Sequence, residues 1–340
     1  MSGTPPRSIA LFRALQLGDL LSAVPAFRAL RRAEPDAHIT LIGLPWAEEF
    51  VTRFSAYLDD FVAFPGWPGI AELGFDEQRF DAFEAEAAAR RFDLAVQMHG
   101  DGSSSNAFID AVPAAAHAGF RPDEAPSREG FVPYPEELPE VGRLLSLAAA
   151  LGGTDLDPTL EFPLFEEERR EAAGLLASVG YDGTAPLTCL HAGGRGADRR
   201  WDARNFAAIA DELVARGYAV ALTGSDVDRA VNEEVITSAG SAILDLTGRT
   251  TIGTLGAVIA RSSLVVTNDS GPSHLAAALR VPSVVIFTGS DPARWAPTDR
   301  ELHRVVGAGR PGGGPPAPPP PLDEALAALP EGPSAPLGCR

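Results

Sequence analysis

The 340-residue chain contains no lysine, so all 28 of its basic residues are arginines. Any fixed cation in a binding site must therefore be a planar guanidinium, which can hold a phosphate through two parallel hydrogen bonds. There are also only two cysteines, too few for a disulfide framework, and Cys189 lies in an apolar run typical of a small buried residue. These features predict a reducing compartment.

Long hydrophobic segments are missing as well. No run of about 18 apolar residues occurs, which predicts no membrane span. Residues 1–7 are short and polar, unlike a signal peptide, so a cytoplasmic location is expected. The formal net charge of −18 disfavours nucleic acid and anionic lipid as partners, leaving at most transient contact with the inner membrane face. Any phosphate must be bound by a local site.

What the sequence does contain is a repeated alternation of strand-like and helix-like segments. Parallel strands need crossover connections, and helices supply them, so the alternation predicts an α/β fold with doubly wound parallel sheets. The alternation of strand-like and helix-like segments is interrupted near residues 152–165 and then resumes. We therefore expect a Rossmann-like domain over 1–160, a second over 161–306, and a Pro/Gly-rich tail over 307–340 whose short helix returns to the first domain.

The first candidate site is Gly18-Asp19, directly after the first predicted strand. At the carboxyl edge of a sheet, the Asp19 carboxylate could act as a general base toward a hydroxyl group. Asp is also a common helix cap, and from spacing alone a capping role is the simpler interpretation of the same residue. The sequence leaves both interpretations open.

The second candidate is the segment from His191 to Trp201, which contains Gly193, Gly194 and Arg199. Small residues after a strand let backbone amides approach a phosphate, and guanidinium groups neutralise its charge. The alternative is an ordinary glycine-rich loop with solvated arginines.

The third candidate runs from Asn268 to His274, between an apolar strand and an Ala-rich helix. Pro272 suits the first turn of a helix, and the free amides at that helix start could bind a diphosphate. Asp269 and His274 could then bind sugar hydroxyls or phosphate oxygens. A well-capped helix with His274 facing the core is the competing interpretation.

Several familiar motifs do not occur. There is no Gly-x-Gly-x-x-Gly after the first strand, no P-loop, no Cys/His metal spacing and no Gly-x-Ser-x-Gly elbow. We therefore expect neither a dinucleotide cofactor nor a bound metal.

Taken together and in this order, the three segments resemble glycosyltransferase family 9, the ADP-heptose:lipopolysaccharide heptosyltransferases and their relatives. The similarity covers about Ser8 to Pro297, and its most specific block is Asp269 to Ala278. The resemblance implies a GT-B fold, with two Rossmann-like domains facing a central cleft. It also implies inverting, metal-independent transfer of a sugar from a nucleotide diphosphate donor, without a further cofactor, in lipopolysaccharide biosynthesis.

The resemblance further implies roles for particular residues. Asp19 takes the position of the catalytic base, and Arg199 that of a lysine that steadies the donor phosphates. The implied donor-binding residues are Gly193, Gly194, Asp228, Thr250, Asp269, Ser270, Gly271 and His274.

Two departures from the family pattern bear on the substrates. Gly193 and Gly194 lack the hydroxyls found in heptosyltransferases, and arginine replaces lysine at 199, so the donor need not be ADP-heptose. The first domain has no basic cluster beyond Arg28, Arg31, Arg32 and the pair at 90–91, which favours a saccharide or glycolipid acceptor of low charge. Two other functions fit the same pattern: a non-catalytic nucleotide-sugar-binding protein and a nucleotide-sugar epimerase.

Overall fold

A computed structural model describes residues 6–332 of the chain. The expectation about the N-terminus rests on residues 1–7, of which residues 1–5 lie outside the described residues, as does the tail beyond residue 332. The chain divides after Thr159 into two compact units, where the sequence had placed the boundary after residue 160. None of the helices in the described part of the chain is long and apolar enough to cross a membrane.

The first unit contains six strands and five helices among its described residues. The strands are β1 Ser8–Phe12, β2 His38–Gly43, β3 Asp60–Ala63, β4 Phe92–Gln97, β5 Ala114–Arg121 and β6 Phe131–Pro133. The helices are α1 Leu17–Ala33, α2 Ala47–Arg53, α3 Glu77–Arg90, α4 Asn106–Ala111 and α5 Glu140–Ala150.

The six strands form one parallel sheet in the order β3-β2-β1-β4-β5-β6. This is the doubly wound order, in which the chain runs outward from β1 on one side and then returns to β4 on the other. The first five strands correspond to short apolar runs that the sequence predicts as strands, at Ser8–Ala14, His38–Leu44, Asp60–Phe64, Leu94–Met98 and Ala114–Gly119. Strand β6 and helix α4 were missed. All side chains of β1 after Ser8 are buried, as expected for a central strand with both faces covered.

Helix α1 contains a proline beyond its first turn, where proline is normally not tolerated. Pro25 lies in the middle of this 17-residue helix, which continues to Ala33. Residues from Gly18 to Leu30 on this helix are almost all buried. The packing of this long buried surface therefore outweighs the lost backbone hydrogen bond at Pro25, because tertiary burial supplies most of the stability of protein helices.

The second unit also contains six strands. They are β7 Leu187–His191, β8 Ala219–Leu222, β9 Leu244–Asp245, β10 Leu264–Asn268, β11 Ser283–Ile286 and β12 His303–Val306. Its helices are α6 Glu166–Ser178, α7 Ala203–Ala215, α8 Arg229–Ser238, α9 Ile252–Arg261, α10 Gly271–Ala278, α11 Pro292–Trp295 and α12 Leu322–Ala328. Helices α6 and α11 and strand β12 were not predicted.

The second sheet is parallel and has the order β12-β11-β10-β7-β8-β9, so it repeats the topology of the first. Strands β7 and β10 are neighbours, but the chain after β7 continues to β8 on one side of this pair, whereas the chain after β10 continues to β11 on the other side. In doubly wound sheets, ligands bind at the carboxyl ends of such a strand pair. The equivalent pair in the first unit is β1 and β4.

The predicted short helix near the C-terminus exists as α12, but its expected return to the first domain is wrong. Ala325 and Leu329 are buried in the core of the second unit, beside residues of α7 such as Phe206. The tail before it is held by a hydrogen bond from Trp201 Nε1 to the Pro320 carbonyl at 2.9 Å. The apolar face of α12 therefore completes the second core.

Candidate active site

The carboxyl ends of β7 and β10 are joined by Asn268, the last residue of β10. Its Nδ2 donates to the carbonyls of Ala192 and Gly193, at 2.8 and 3.0 Å, and its Oδ1 accepts from the backbone N–H of Trp201 at 3.1 Å. Asn268 is fully buried. One amide side chain therefore holds both ends of the loop that carries Gly193, Gly194 and Arg199.

Arg199 ends a 3-10 turn, Ala197–Arg199, within this loop. Its Nη2 donates to Asp269 Oδ2 at 3.1 Å, while Asp269 itself is buried and Arg199 is about one-third exposed. Ser290 Oγ donates to the same carboxylate oxygen at 2.5 Å. The carboxylate thus orients a partly exposed guanidinium at the strand ends, where it can bind an anion.

The turn bearing Arg199 is supported from the strand β11 side. Thr288 Oγ1 donates to the Asp198 carbonyl at 2.8 Å. A Cβ atom at Gly289 would lie 2.7 Å from that same carbonyl oxygen, so only glycine allows this approach. Residues 288–290 were not identified from the sequence, because their contacts are with residues 21 and about 90 positions away in the chain.

Asp269, Ser270 and Gly271 form the start of α10, as the motif predicted. Ser270 precedes the helix and its hydroxyl donates to the Asn268 carbonyl at 3.2 Å. His274, one turn into the helix, is buried, with its Nε2 4.0 Å from Asp269 Oδ1 and its ring edge-on to Trp295. His274 therefore lies beside the acidic group of the site as well as against an aromatic ring.

Gly193 and Asp228 meet closely. A Cβ atom at Gly193 would lie 2.5 Å from Asp228 Oδ1, so any side chain at 193 would displace the carboxylate. Asp228 is buried, and its other oxygen accepts from the backbone N–H and the hydroxyl of Ser225, at 2.9 and 2.8 Å. At Gly194 the nearest atom would be the Arg199 carbonyl oxygen at 3.5 Å, an ordinary contact.

Thr250 follows β9 and lies at the same edge of the sheet, two strands from β7. It is half-buried and directly precedes Thr251, whose hydroxyl caps α9. His191, the last residue of β7, is buried against Thr223, and burial lowers the pKa of its imidazole. It is held as a neutral group at physiological pH.

In the first unit, Asp19 is the third residue of α1, at the carboxyl end of β1. Its Oδ2 accepts from the backbone N–H of Gln16, the residue before the helix, at 3.2 Å. The helix thus begins two residues before Asp19 and not after it, and Asp19 contributes the third-residue half of a capping box from inside the first turn. The side chain is nevertheless partly exposed. A carboxylate has two oxygens with about four lone-pair positions, so capping and proton abstraction are compatible.

Sequence reasoning missed the polar groups that surround this turn. Arg13 follows β1 and is fully buried, in contact with Asp19, Met98 and Glu140. His99 follows β4, stacks flat on Phe12 with ring centroids 5.2 Å apart, and has its Nε2 3.7 Å from a carboxylate oxygen of Glu72. The available signal was a single charged residue, Arg13, in an otherwise apolar strand region.

Comparisons with known proteins identify the family of the chain. The sequence profile of glycosyltransferase family 9 (heptosyltransferase) matches residues 82–311. Lipopolysaccharide heptosyltransferase 2 of Salmonella typhimurium is 26% identical over 306 residues, covering 85% of each chain. Lipopolysaccharide heptosyltransferase 3 of Escherichia coli is 39% identical over 105 residues, covering 30% of this chain and 31% of the relative.

Solved structures give the same fold. The glycosyl transferase family 9 protein from Veillonella parvula superposes with a TM-score of 0.76 at 23% identity, covering 88% of this chain and 86% of that one. Escherichia coli ADP-heptose lps heptosyltransferase II gives a TM-score of 0.67 at 21% identity, covering 89% and 92%. The fold is therefore of the GT-B type, as predicted.

The two repeated sheets, together with the family profile and the heptosyltransferase relatives, define an α/β glycosyltransferase. The profile match extends over more than half of the sequence, and the chain belongs to glycosyltransferase family 9.

Proposed function

We propose that the protein is an inverting, metal-independent transferase that moves a heptose or related sugar from an ADP-linked donor to an acceptor hydroxyl. The observation that carries the proposal is the ion pair of Arg199 and Asp269 between the ends of β7 and β10. It holds a guanidinium at the position where doubly wound sheets bind ligands. The acceptor in this proposal is a saccharide or a glycolipid.

The donor diphosphate binds to Arg199 and to the backbone amides at the start of α10. Arg199 presents a positive charge to the diphosphate. The start of α10 presents a partial positive charge, which comes from the helix dipole and the free backbone N–H groups. Asp228 accepts from ribose hydroxyls, and Thr250 contacts the nucleoside. In support of an ADP-linked donor, E. coli heptosyltransferase WaaC, solved with ADP, shares the fold with a TM-score of 0.62 at 16% identity.

The reaction in this proposal is a direct displacement. The Asp19 carboxylate takes the proton of the acceptor hydroxyl while that oxygen forms a bond to the anomeric carbon. The bond from the anomeric carbon to the diphosphate oxygen breaks, and the diphosphate leaves with the electron pair. Arg199 and the start of α10 stabilise the developing charge, a contribution that preorganised donors make without reorganisation.

In this account Arg199 supplies the cation that a metal ion supplies elsewhere. Among residues 6–332, no group of three or more His, Cys, Asp or Glu side chains is arranged to hold a metal ion. Transfer should therefore proceed at full rate in excess EDTA. A rate that EDTA abolishes and Mg²⁺ or Mn²⁺ restores would reject metal independence.

The acceptor is expected to carry little negative charge. Residues 1–159 contain 12 Arg and 24 Asp or Glu, so the first unit repels anions overall. The basic residues on α1 lie in its second half, away from Asp19, and each is paired: Arg28 with Asp157, Arg31 with Asp59 and Arg32 with Asp155. These three arginines of α1 are thus distant from Asp19 along the helix and already paired with carboxylates.

Two measurements test donor and acceptor separately. A thermal-shift series with ADP-heptose, UDP-sugars and GDP-sugars ranks the donors, because a ligand of the folded state raises its melting temperature. Transfer from the best donor is then compared on matched oligosaccharides with and without Kdo and phosphate groups. A clear preference for the anionic acceptor contradicts the acceptor assignment.

The same assay separates the competing functions. A binding protein shows donor binding with neither transfer nor hydrolysis, and an epimerase converts the donor with no acceptor present. An inverting transferase gives a product whose anomeric configuration is opposite to that of the donor, as read by NMR. Retained configuration would contradict direct displacement.

A further inference from the structure

Among residues 6–332, Arg13 is the largest fully buried side chain, although a guanidinium is a cation. It follows β1 and precedes the turn that leads to Asp19. A buried cation is costly unless its hydrogen bonds are all satisfied. A cation at this position therefore needs an explanation beyond packing.

The guanidinium of Arg13 connects three separate segments at the carboxyl edge of the first sheet. Its Nε donates to the Asp19 carbonyl at 3.0 Å, its Nη1 to the Met98 carbonyl at 2.5 Å, and its Nη2 to Glu140 Oε1 at 2.8 Å. These partners belong to the first turn of α1, the end of β4 and the first turn of α5. Because the guanidinium is planar and its N–H donors point in set directions, it holds these three segments in place relative to one another.

Glu140 is buried as well, and it lies between two arginines. Oε1 accepts from Arg13, and Oε2 lies 4.0 Å from Nη1 of Arg143. Arg143 donates to the carbonyls of Leu138 and Glu136 and to the Tyr134 hydroxyl, all within the segment that leads into α5. The two arginines thus share one carboxylate, yet only Arg13 contacts the Asp19 turn.

The charge of Arg13 is felt by its neighbours. Burial is the main cause that lowers the pKa of His99 to about 4, and the positive charge of Arg13 lowers it further while Glu140 opposes this effect. His99 is therefore neutral at physiological pH. At the carboxyl ends of β1 and β4, the negative charge of Glu140 therefore offsets the positive charge of Arg13.

We propose that Arg13 is a positioning residue that sets the first turn of α1 and thereby the orientation of the Asp19 carboxylate toward the acceptor hydroxyl. The proposal rests on the assignment of Asp19 as the base. A base displaced by about 1 Å can lose on the order of a hundredfold in rate, because proton abstraction depends on geometry. Arg13 acts through the backbone of Asp19 and does not touch the substrate.

The test compares Arg13→Met with the matched variant Arg143→Met. Each removes one buried arginine beside Glu140 and leaves the other to pair with it. Rates are measured as ADP release from ADP-heptose with the better acceptor from the matched pair, and ADP affinity is measured by calorimetry. We expect Arg13→Met to lower kcat about 10- to 100-fold with ADP affinity unchanged, Arg143→Met to keep kcat within about twofold, and Arg13→Lys to recover part of the loss.

Each result has a definite meaning. Equal losses of kcat in Arg13→Met and Arg143→Met, or a loss that follows melting temperature across both variants, would reduce Arg13 to a structural residue and overturn the proposal. Unchanged kcat in Arg13→Met would overturn it too. Asp19→Asn tests the base assignment separately from the positioning role of Arg13. If Asp19→Asn has wild-type turnover, the base assignment fails, regardless of the results for the Arg13 variants. If Arg13→Met does not fold, Arg13→Lys decides, since a structural role predicts wild-type kcat for any variant with wild-type stability.

Discussion

Nη2 of Arg199 lies 3.1 Å from Oδ2 of Asp269, although 70 residues separate the two in the chain. The pair joins the loop after β7 to the turn after β10. Because Asp269 is buried and Arg199 is partly exposed, the carboxylate orients the guanidinium rather than the reverse. This relationship gives the proposed donor site a fixed cation.

Arg199→Gln should weaken ADP binding about 10- to 100-fold, since hydrogen bonds to charged groups contribute about 1.5–3 kcal/mol. Isothermal titration with ADP measures the change. Arg204→Gln is the matched control, because Arg204 is exposed and lies 3.8 Å from Glu234 on the surface. Equal ADP affinity in the wild type and Arg199→Gln would remove Arg199 from the phosphate site.

Gly193→Ala should weaken ADP binding much more than Gly194→Ala. The new methyl group at 193 would lie 2.5 Å from Asp228 Oδ1 and must displace that carboxylate, whereas the nearest atom to a methyl group at 194 is 3.5 Å away. The two adjacent substitutions have the same chemistry, so each controls for the other. Similar affinities for ADP in both variants would indicate that Asp228 does not contribute to donor binding.

Stability should fall in mild acid through His303. Burial is the main cause that lowers the pKa of this imidazole to about 4, against 6.5 for an ordinary histidine. The unfolded chain therefore takes up a proton between pH 6.5 and about 4 that the folded state does not, so stability is fully present above pH 6.5 and decreases as the pH falls. Melting temperatures measured from pH 7.5 to 4.5 should decline.

The decline should be shallower in His303→Gln and unchanged in the control His38→Gln, since His38 is exposed. His99, whose pKa is also lowered to about 4, should maintain part of the slope in both variants. An identical slope in the wild type and His303→Gln would contradict the buried neutral imidazole.

Cys189 should be unreactive in the native protein. Complete burial raises the pKa of its thiol to about 12, so neither access nor thiolate is available for reaction. In a Cys339→Ser background, which leaves one cysteine, a disulfide reagent such as DTNB should label Cys189 only after denaturant is added. Rapid labelling of the native protein would place Cys189 nearer the surface.

The sequence predicted most of the sheet strands, because each buried strand is a short apolar run between turn residues. It missed β6 and β12, whose few residues become strands through pairing with β5 and β11. It also missed α6, whose acidic and basic residues mostly face solvent while Ala172 and Leu176 are buried. Such elements depend on partners distant in the chain.

The candidate site divides in the same way. The glycines after β7 and the turn after β10 were predicted because each is a local motif. Asn268 was named only as part of its motif, and its role in joining two loops depends on contacts 75 and 76 residues away. Arg13 and Glu140, 127 residues apart, gave no local signal beyond one charge in an apolar region. Motifs could be read from the sequence, whereas the residues that hold them in place could not.

The most direct test of the whole account is Asp19→Asn, which keeps the size of the side chain but removes the base. We expect calorimetry to show unchanged ADP affinity, while turnover with ADP-heptose and the better acceptor falls by about two or more orders of magnitude. Wild-type turnover in Asp19→Asn would contradict the account.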